Sequence, residues 1–363
     1  MTVIDDPTFL TTSDTAFLFA TDDAGGDWLL GTPLDEYSPL HVRRKVLAFA
    51  AETTPGEAVA TSVYNVPILD ISLKRDGDFV EQRHPMAHMD SGYMTVIRPR
   101  LASLSFTLEV FVNADNTFST MMATLLSFCG YEAKGTGGSP MGNGFGVRQS
   151  PYATGAGTGT FHVYEDGVRK GIRGAMGTFK LRTEAGKRWF FDFNMQGVWI
   201  DPSDVAMPSY DPTAPDSVTD FQRLLSKQST ISFSDLSAFD AVATPQLASF
   251  KWDAGVTVEP VAAMDDEAGV SHVRVVGHDQ RIEFDPESRL VANFDADWFL
   301  REGGLIEMSV FLYDNASYAT FLNLGSVQIE SLKSSDRNNV MIESIVAKPV
   351  DPTVVTIDIE GTY

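Results

Sequence analysis

The feature that most limits what this chain can become is a two-residue rhythm of apolar and polar side chains. Leu69, Ile71 and Leu73 alternate with Asp70, Ser72 and Lys74, and Leu104, Phe106, Leu108, Val110 and Val112 alternate with Ser105, Thr107 and Glu109. Successive side chains of an extended strand point to opposite faces, so the pattern predicts antiparallel strands with one face on a core and the other in water. The rhythm returns in Val273 and Val275, Ile282 and Phe284, Ile306 to Leu312, Val327 and Ile329, Met341 to Ile345, and Val355 to Ile359. A mainly β protein follows.

Three short segments break the rhythm and are predicted as helices. Ser38 and Pro39 supply a cap and a first-turn proline before Val42, Val46, Leu47 and Phe49, which places one helix near 39–52. Phe118, Met121, Met122, Leu125 and Phe128 recur at helical spacing over 117–128, and Gly130 supplies a stop. Asp295 to Gly303 has an acidic start and a glycine finish. The densest strand pattern lies between the last two helices. Phe161 to Tyr164 leads to the turn Glu165-Asp166-Gly167, a second turn falls at Glu184-Ala185-Gly186, and Trp189, Phe191, Phe193, Met195 and Trp199 share one face.

At 363 residues the chain is longer than the roughly 100–200 residues usual for one domain. Residues 1–60 read as an N-terminal arm, 61–205 as a first β-module and 247–363 as a second. Between them, 206–246 reads as a linker or extended arm because of Pro208, Pro212, Pro215 and Pro245. Both modules run in the same order of strands, one short helix and more strands, as a duplication would. The glycine-rich stretch 135–159 is long for a connection inside a compact domain and is expected to reach beyond it.

Charge narrows the function. There are 49 acidic against 27 basic side chains, a net −22, which argues against gripping nucleic acid, since that requires phosphate neutralisation by Lys and Arg. An acidic surface instead keeps DNA from sticking. Cys129 is the only cysteine and reads as a small core residue, so no intrachain disulfide is expected. The first residues carry no signal-peptide pattern and no stretch reaches about 18 apolar residues, so neither signal-directed secretion nor a membrane span is expected.

No catalytic motif emerges. The glycines of 135–159 are not set between a strand and a helix and are not closed by Gly-Lys-Ser/Thr, which disfavours a nucleotide site. His84 and His88 are four apart but are interrupted by Pro85 and lack further donors. Asp22 to Asp27 lacks the closing glutamate of a calcium loop. No cofactor or metal is expected, and the chain is not expected to be an enzyme. One local feature stands out: Arg169, Lys170, Arg173, Lys180, Arg182, Lys187 and Arg188 gather within 168–188 against the single acid Glu184. In an acidic protein that assembles with itself, such a block is a candidate inter-subunit contact; the alternative is a solvated hairpin face.

The same segment carries a resemblance. Tyr164-Glu165-Asp166-Gly167, Gly171 to Phe179, Ala185 to Phe193 and Gly197-Val198-Trp199 resemble the major tail tube proteins of long-tailed bacteriophages, where a short hairpin, a small-residue turn and a closing strand ending in glycine and an aromatic recur. Leu104 to Val110, Leu125 to Gly130, Phe284 to Glu287 and Asp336 to Asn338 follow in the order that family shows, so that the resemblance covers about 62–205 and 247–361.

It implies two tandem tail-tube-type β-sandwich or barrel modules, each with a flanking helix. It also implies stacked rings that form a hollow tube for DNA, made of three copies with pseudo-sixfold symmetry or of six. The implied partners are further copies of the chain and the tape measure, terminator and distal tail proteins. The place is the virion tail, assembled in the host cytoplasm, with DNA as passing cargo and no membrane insertion. The alternatives are a single-ring terminator or hub protein, and a β-sandwich module binding carbohydrate or a receptor on Trp189, Trp199, Trp252 or Trp298.

Overall fold

The computed structural model describes residues 11–12, 15–16, 19–21, 27–29, 45–63, 68–83, 93–113, 120–133, 145–147, 157–208, 221–223, 230–234, 247–288, 295–315, 318–351 and 355–361. Four short strands come first, β1 (Thr11–Thr12), β2 (Thr15–Ala16), β3 (Phe19–Thr21) and β4 (Asp27–Leu29), paired as two ribbons. Next come β5 (Lys45–Ala51), β6 (Ser62–Val63), the long neighbours β7 (Ile68–Arg83) and β8 (Tyr93–Glu109), and β9 (Phe111–Asn113). Helix α1 (Thr120–Phe128) precedes β10 (Tyr131–Ala133), β11 (Phe145–Val147), β12 (Gly159–Glu165), β13 (Val168–Glu184) and β14 (Phe190–Asp204).

Two short strands, β15 (Phe221–Arg223) and β16 (Thr230–Ser234), fall in the proline-rich stretch and pair with β9 and β21 (Leu305–Asn315). Before β21 come β17 (Leu247–Asp253), the hairpin β18 (Val256–Ala262) and β19 (Val270–His278), β20 (Arg281–Pro286) and helix α2 (Ala296–Glu302). After it come β22 (Tyr318–Arg337), β23 (Val340–Pro349) and β24 (Thr356–Gly361). Among the described residues every pairing is antiparallel, and one sheet takes in 16 of the strands.

The mainly β expectation holds, and register explains the core. Leu108 lies opposite Phe191, Phe191 opposite Leu181, Leu181 opposite Trp252, Trp252 opposite Ile282, Ile282 opposite Ala347, and Ala347 opposite Ile329. All seven are buried, so a single apolar row crosses from β8 to β22. It passes from residues before 205 to residues after 247 without interruption, because β13 pairs directly with β17. A parallel row of Phe106, Phe193 and Phe179 adds ring contacts at 5.2 and 5.9 Å, distances at which aromatic pairs gain beyond simple burial.

Two of the three predicted helices are present. In α1, Met121, Met122, Leu125, Leu126 and Phe128 are fully buried, and Gly130 follows with φ 77°, a left-handed stop that favours glycine. In α2 the Asp295 carboxylate accepts from the Trp298 amide and Gly303 ends the helix at φ 66°. The third expectation is corrected: residues 45–51 form strand β5, not helix, while 39–44 lie outside the described residues. A short apolar run does not by periodicity distinguish helix from strand. Here β12 pairs with all seven residues, and Phe49 packs its ring against Phe128 and Phe161.

A second correction concerns β7. Ile71 and Leu73 face the core as expected, but Leu69 does not: a bulge lies between Leu69 and Ser72, Asp70 takes φ 52°, and Leu69 emerges 44% exposed while Ile68 packs inward. A bulge re-aims side chains in this way. In β23, Met341 is exposed in place of buried, while Ile342 and Ile345 are turned inward. The turn at Asp166 and Gly167 forms as expected, with φ of 45° and 100°.

Candidate functional site

Opposite the apolar rows, the same strands present a polar face. Leu69, Thr107, Asp192, Lys180, Asp253 and Arg281 lie opposite one another in turn across six strands, and Arg182, Lys251 and Glu283 form a second row beside them. Lys180 pairs with Asp253 at 2.8 Å, Arg182 with Asp192 at 2.5 Å and Lys251 with Glu283 at 2.8 Å. Thr107 donates to Asp192 at 2.8 Å. These contacts hold the Lys180 and Arg182 heads in their charged forms, chiefly through the hydrogen bonds to Asp253 and Asp192.

Open grooves mark this face among the described residues. One of about 540 Å³ is lined by Leu69, Phe190, Arg182, Lys187, Arg188 and Lys251 among others. Another, about 800 Å³, has a hydroxyl-rich floor of Ser72, Ser103, Ser105 and Thr178 and is walled by the base of the β18–β19 hairpin at Gly255 to Thr257.

The seven basic residues singled out in the sequence divide between two places. Lys180, Arg182, Lys187 and Arg188 line the grooves; Arg169, Lys170 and Arg173 lie at the other end of β13. Six of them meet an acid of their own chain: Lys170 with Glu165, Arg173 with Asp266, Lys180 with Asp253, Arg182 with Asp192, Lys187 with Glu184, and Arg188 with Glu109. Arg169 donates to Ser203 Oγ at 3.2 Å. The block is basic in sequence, but in space acids from β8, β12, β14, β17 and the β18–β19 turn have come to it. Asp76, Asp204, Glu259 and Glu330, by contrast, stand exposed with no ion pair among the described residues.

Arg173 organises a junction that sequence reading missed. Its Nη2 reaches both Asp266 oxygens, at 2.8 and 3.0 Å, and its Nη1 donates to the Gly56 carbonyl. Burial raises the Asp266 carboxyl, but the Arg173 hydrogen bonds and the Ala268 amide outweigh it and hold it below the ordinary range. Beside it, Glu52 accepts from Thr158, Thr160 and the amides of Gly56 and Gly174 at 2.7–2.8 Å. Gly174 has φ 58°, and a β-carbon there would sit 2.8 Å from His272. No periodicity or spacing marks Glu52 or Asp266, because the partners that tie them to β13 and to the start of β12 lie 93 to 122 residues away.

The strap 52–61 is held over β12 by Thr158, Thr160 and His162, the last 3.0 Å from Thr61 Oγ1. Burial, followed by the Arg169 charge, lowers His162 to about 4 from 6.5. The unfolded chain therefore takes up this proton below pH 6.5 and the folded chain only below about 4. The stability due to neutral His162 is complete above the first value and lost as pH falls through that window. Melting curves between pH 7 and 4.5 are expected to show a shallower pH slope for His162→Gln than for the natural chain; equal slopes would contradict this.

His84, His88 and the Asp22 loop lie outside the described residues, as does most of 135–159. Among the described residues no group of three or more His, Cys, Asp or Glu is placed to hold a metal ion, and no helix is long and apolar enough to cross a membrane. Cys129 is buried, and burial pushes its thiol up. Of the tryptophans considered as stacking platforms, Trp189 and Trp252 are buried in the core, Trp199 is half-buried beneath Arg75, and Trp298 is 36% exposed. Compared with known protein families and with curated proteins, the chain matches neither a family model nor a curated sequence.

Proposed function

We propose that this chain is a structural subunit that assembles with copies of itself into stacked rings, forming the hollow tail tube through which a bacteriophage passes its DNA. The observation that carries the reading is strand β7. It runs for 16 residues and, among the described residues, pairs along only one edge, with β8. A long unpaired edge is a hazard in a monomer and a bonding surface in a closed ring. Exposed Lys74, Arg75 and Asp76 on that strand would discourage indiscriminate pairing and leave a matched edge as the favoured partner.

The charge distribution supports the same reading. The cations of 168–188 are largely neutralised inside the chain, while Asp76, Asp204, Glu259 and Glu330 are exposed with no ion pair among the described residues, so a passage lined by such acids would let DNA slide. In this account the two strand-rich regions act as tandem modules, three copies closing a ring of six. The tape measure, terminator and distal tail proteins are the further partners, and the protein's place is the virion tail. The purified 39.7 kDa chain is expected to sediment at high concentration as species many times its own mass. The mass of rings released from them separates three copies from six. A chain that stays monomeric at every concentration would sink the reading.

A further inference from the structure

Traced from neighbour to neighbour, the large sheet contains a band with two ends. Its spatial order is β7, β8, β14, β13, β17, β20, β23, β22, β21 and β16. Among the described residues, β7 pairs only with β8 and β16 only with β21, so each end strand keeps one edge open. Every joint in the band is antiparallel, so its ten strands alternate in direction. Ten is an even number, and the two end strands therefore run in opposite directions.

That parity decides which edge can meet β7. Rotation about a ring axis brings the next copy alongside without reversing it, so the strand that arrives at β7 keeps its own direction. β16 arrives antiparallel and extends the kind of ladder found throughout the sheet. The other outermost strands of the sheet, β6 and β10, end side branches that run β13, β12, β5, β6 and β22, β24, β11, β10. Alternation along those branches leaves both of them parallel to β7, and they have 2 and 3 residues against 5 in β16. The faces agree as well. Ile71 and Leu73 of β7 pack toward the core, and Ile231 and Phe233 of β16 stand opposite the buried Val310 and Met308, which assigns them to the core face. A closed sheet keeps one face inward all the way round, so apolar positions of β16 would continue those of β7.

We propose that β7 of one copy pairs antiparallel with β16 of the next, joining the bands end to end. The inference rests on the self-assembly reading and names the strand that completes β7. The joint brings together two different edges, so it repeats from copy to copy around a ring instead of ending at a twofold dimer, as β7 against β7 would.

Hydrogen exchange of the natural chain, compared between dispersed and assembled protein, tests the joint without presupposing its register. Every second amide of an open edge points away from its own sheet, and these amides are expected to slow at least about tenfold on assembly in β7 and in β16 together. A photo-reactive residue identifies the neighbour directly. Ser232→p-benzoylphenylalanine, irradiated in assemblies mixed with isotope-labelled natural chain, is expected to attach to peptides of the labelled chain within 68–83. Assembly in which the β16 amides exchange as fast as before, or in which the attachment falls outside 68–83, overturns the proposed joint and leaves self-assembly standing. If the substituted chain does not assemble, exchange in the natural chain decides alone. A natural chain that does not assemble removes both.

Discussion

Arg188→Ala is expected to destabilise the dispersed protein by about 3 kcal/mol, seen as a lower denaturant midpoint with an unchanged slope. The reason is its partner. Glu109 is only 5% exposed; its Oε2 accepts from Arg188 Nη1 at 2.9 Å, and its Oε1 has no hydrogen-bond partner among the described residues. Removing Arg188 leaves a buried carboxylate with no counter-charge, and that loss commonly costs about 3–5 kcal/mol. The lower end applies because Arg188 itself is 44% exposed, so water already screens part of the pair. The double variant Arg188→Leu with Glu109→Leu should recover most of the loss, since no orphaned charge remains. A single-variant loss below about 1 kcal/mol would show that Glu109 reaches solvent once its partner is gone.

Arg173→Ala should cost about 2–4 kcal/mol, because three elements lose a common fastening: the strap at Gly56, strand β13 that carries Arg173, and the β18–β19 turn at Asp266. Arg173→Lys is expected to restore less than half. An ammonium group is a single nitrogen and has no second arm to reach the Gly56 carbonyl, as Nη1 does, while meeting the Asp266 carboxylate, as Nη2 does. Hydrogen exchange provides a local readout, with faster exchange expected at the Ala268 and Gly269 amides that close the turn. Full rescue by lysine would mean that charge alone, and not the second arm, holds the junction.

Much of the architecture was legible in the sequence because alternation and burial are local properties. Leu104, Phe106, Leu108 and Val110 are all buried, and both well-capped helices formed where their spacing and stops placed them. Failures arose where a neighbouring strand decided the outcome. The run Lys45 to Ala51 became a strand because β12 offered a full ladder, and Leu69 turned outward because one extra residue entered β7. The chemistry of the site was less legible still. Seven basic residues close in sequence read as a positive patch, yet Asp192, Asp253, Asp266 and Glu109 reach them through strand pairing and hairpin docking over separations of 10 to 93 residues. Hydrophobic rhythm sets which face is buried; it does not say which strand lies alongside, and ion pairs depend on that.

The central claim is that the open edge of β7 and its sheet are completed by further copies of the chain. Electron micrographs of the concentrated, purified protein test it most directly. The account predicts hollow filaments of uniform width with threefold or sixfold symmetry in cross-section. A field of separate globular particles of single-chain size, unchanged at the highest attainable concentration, would contradict it.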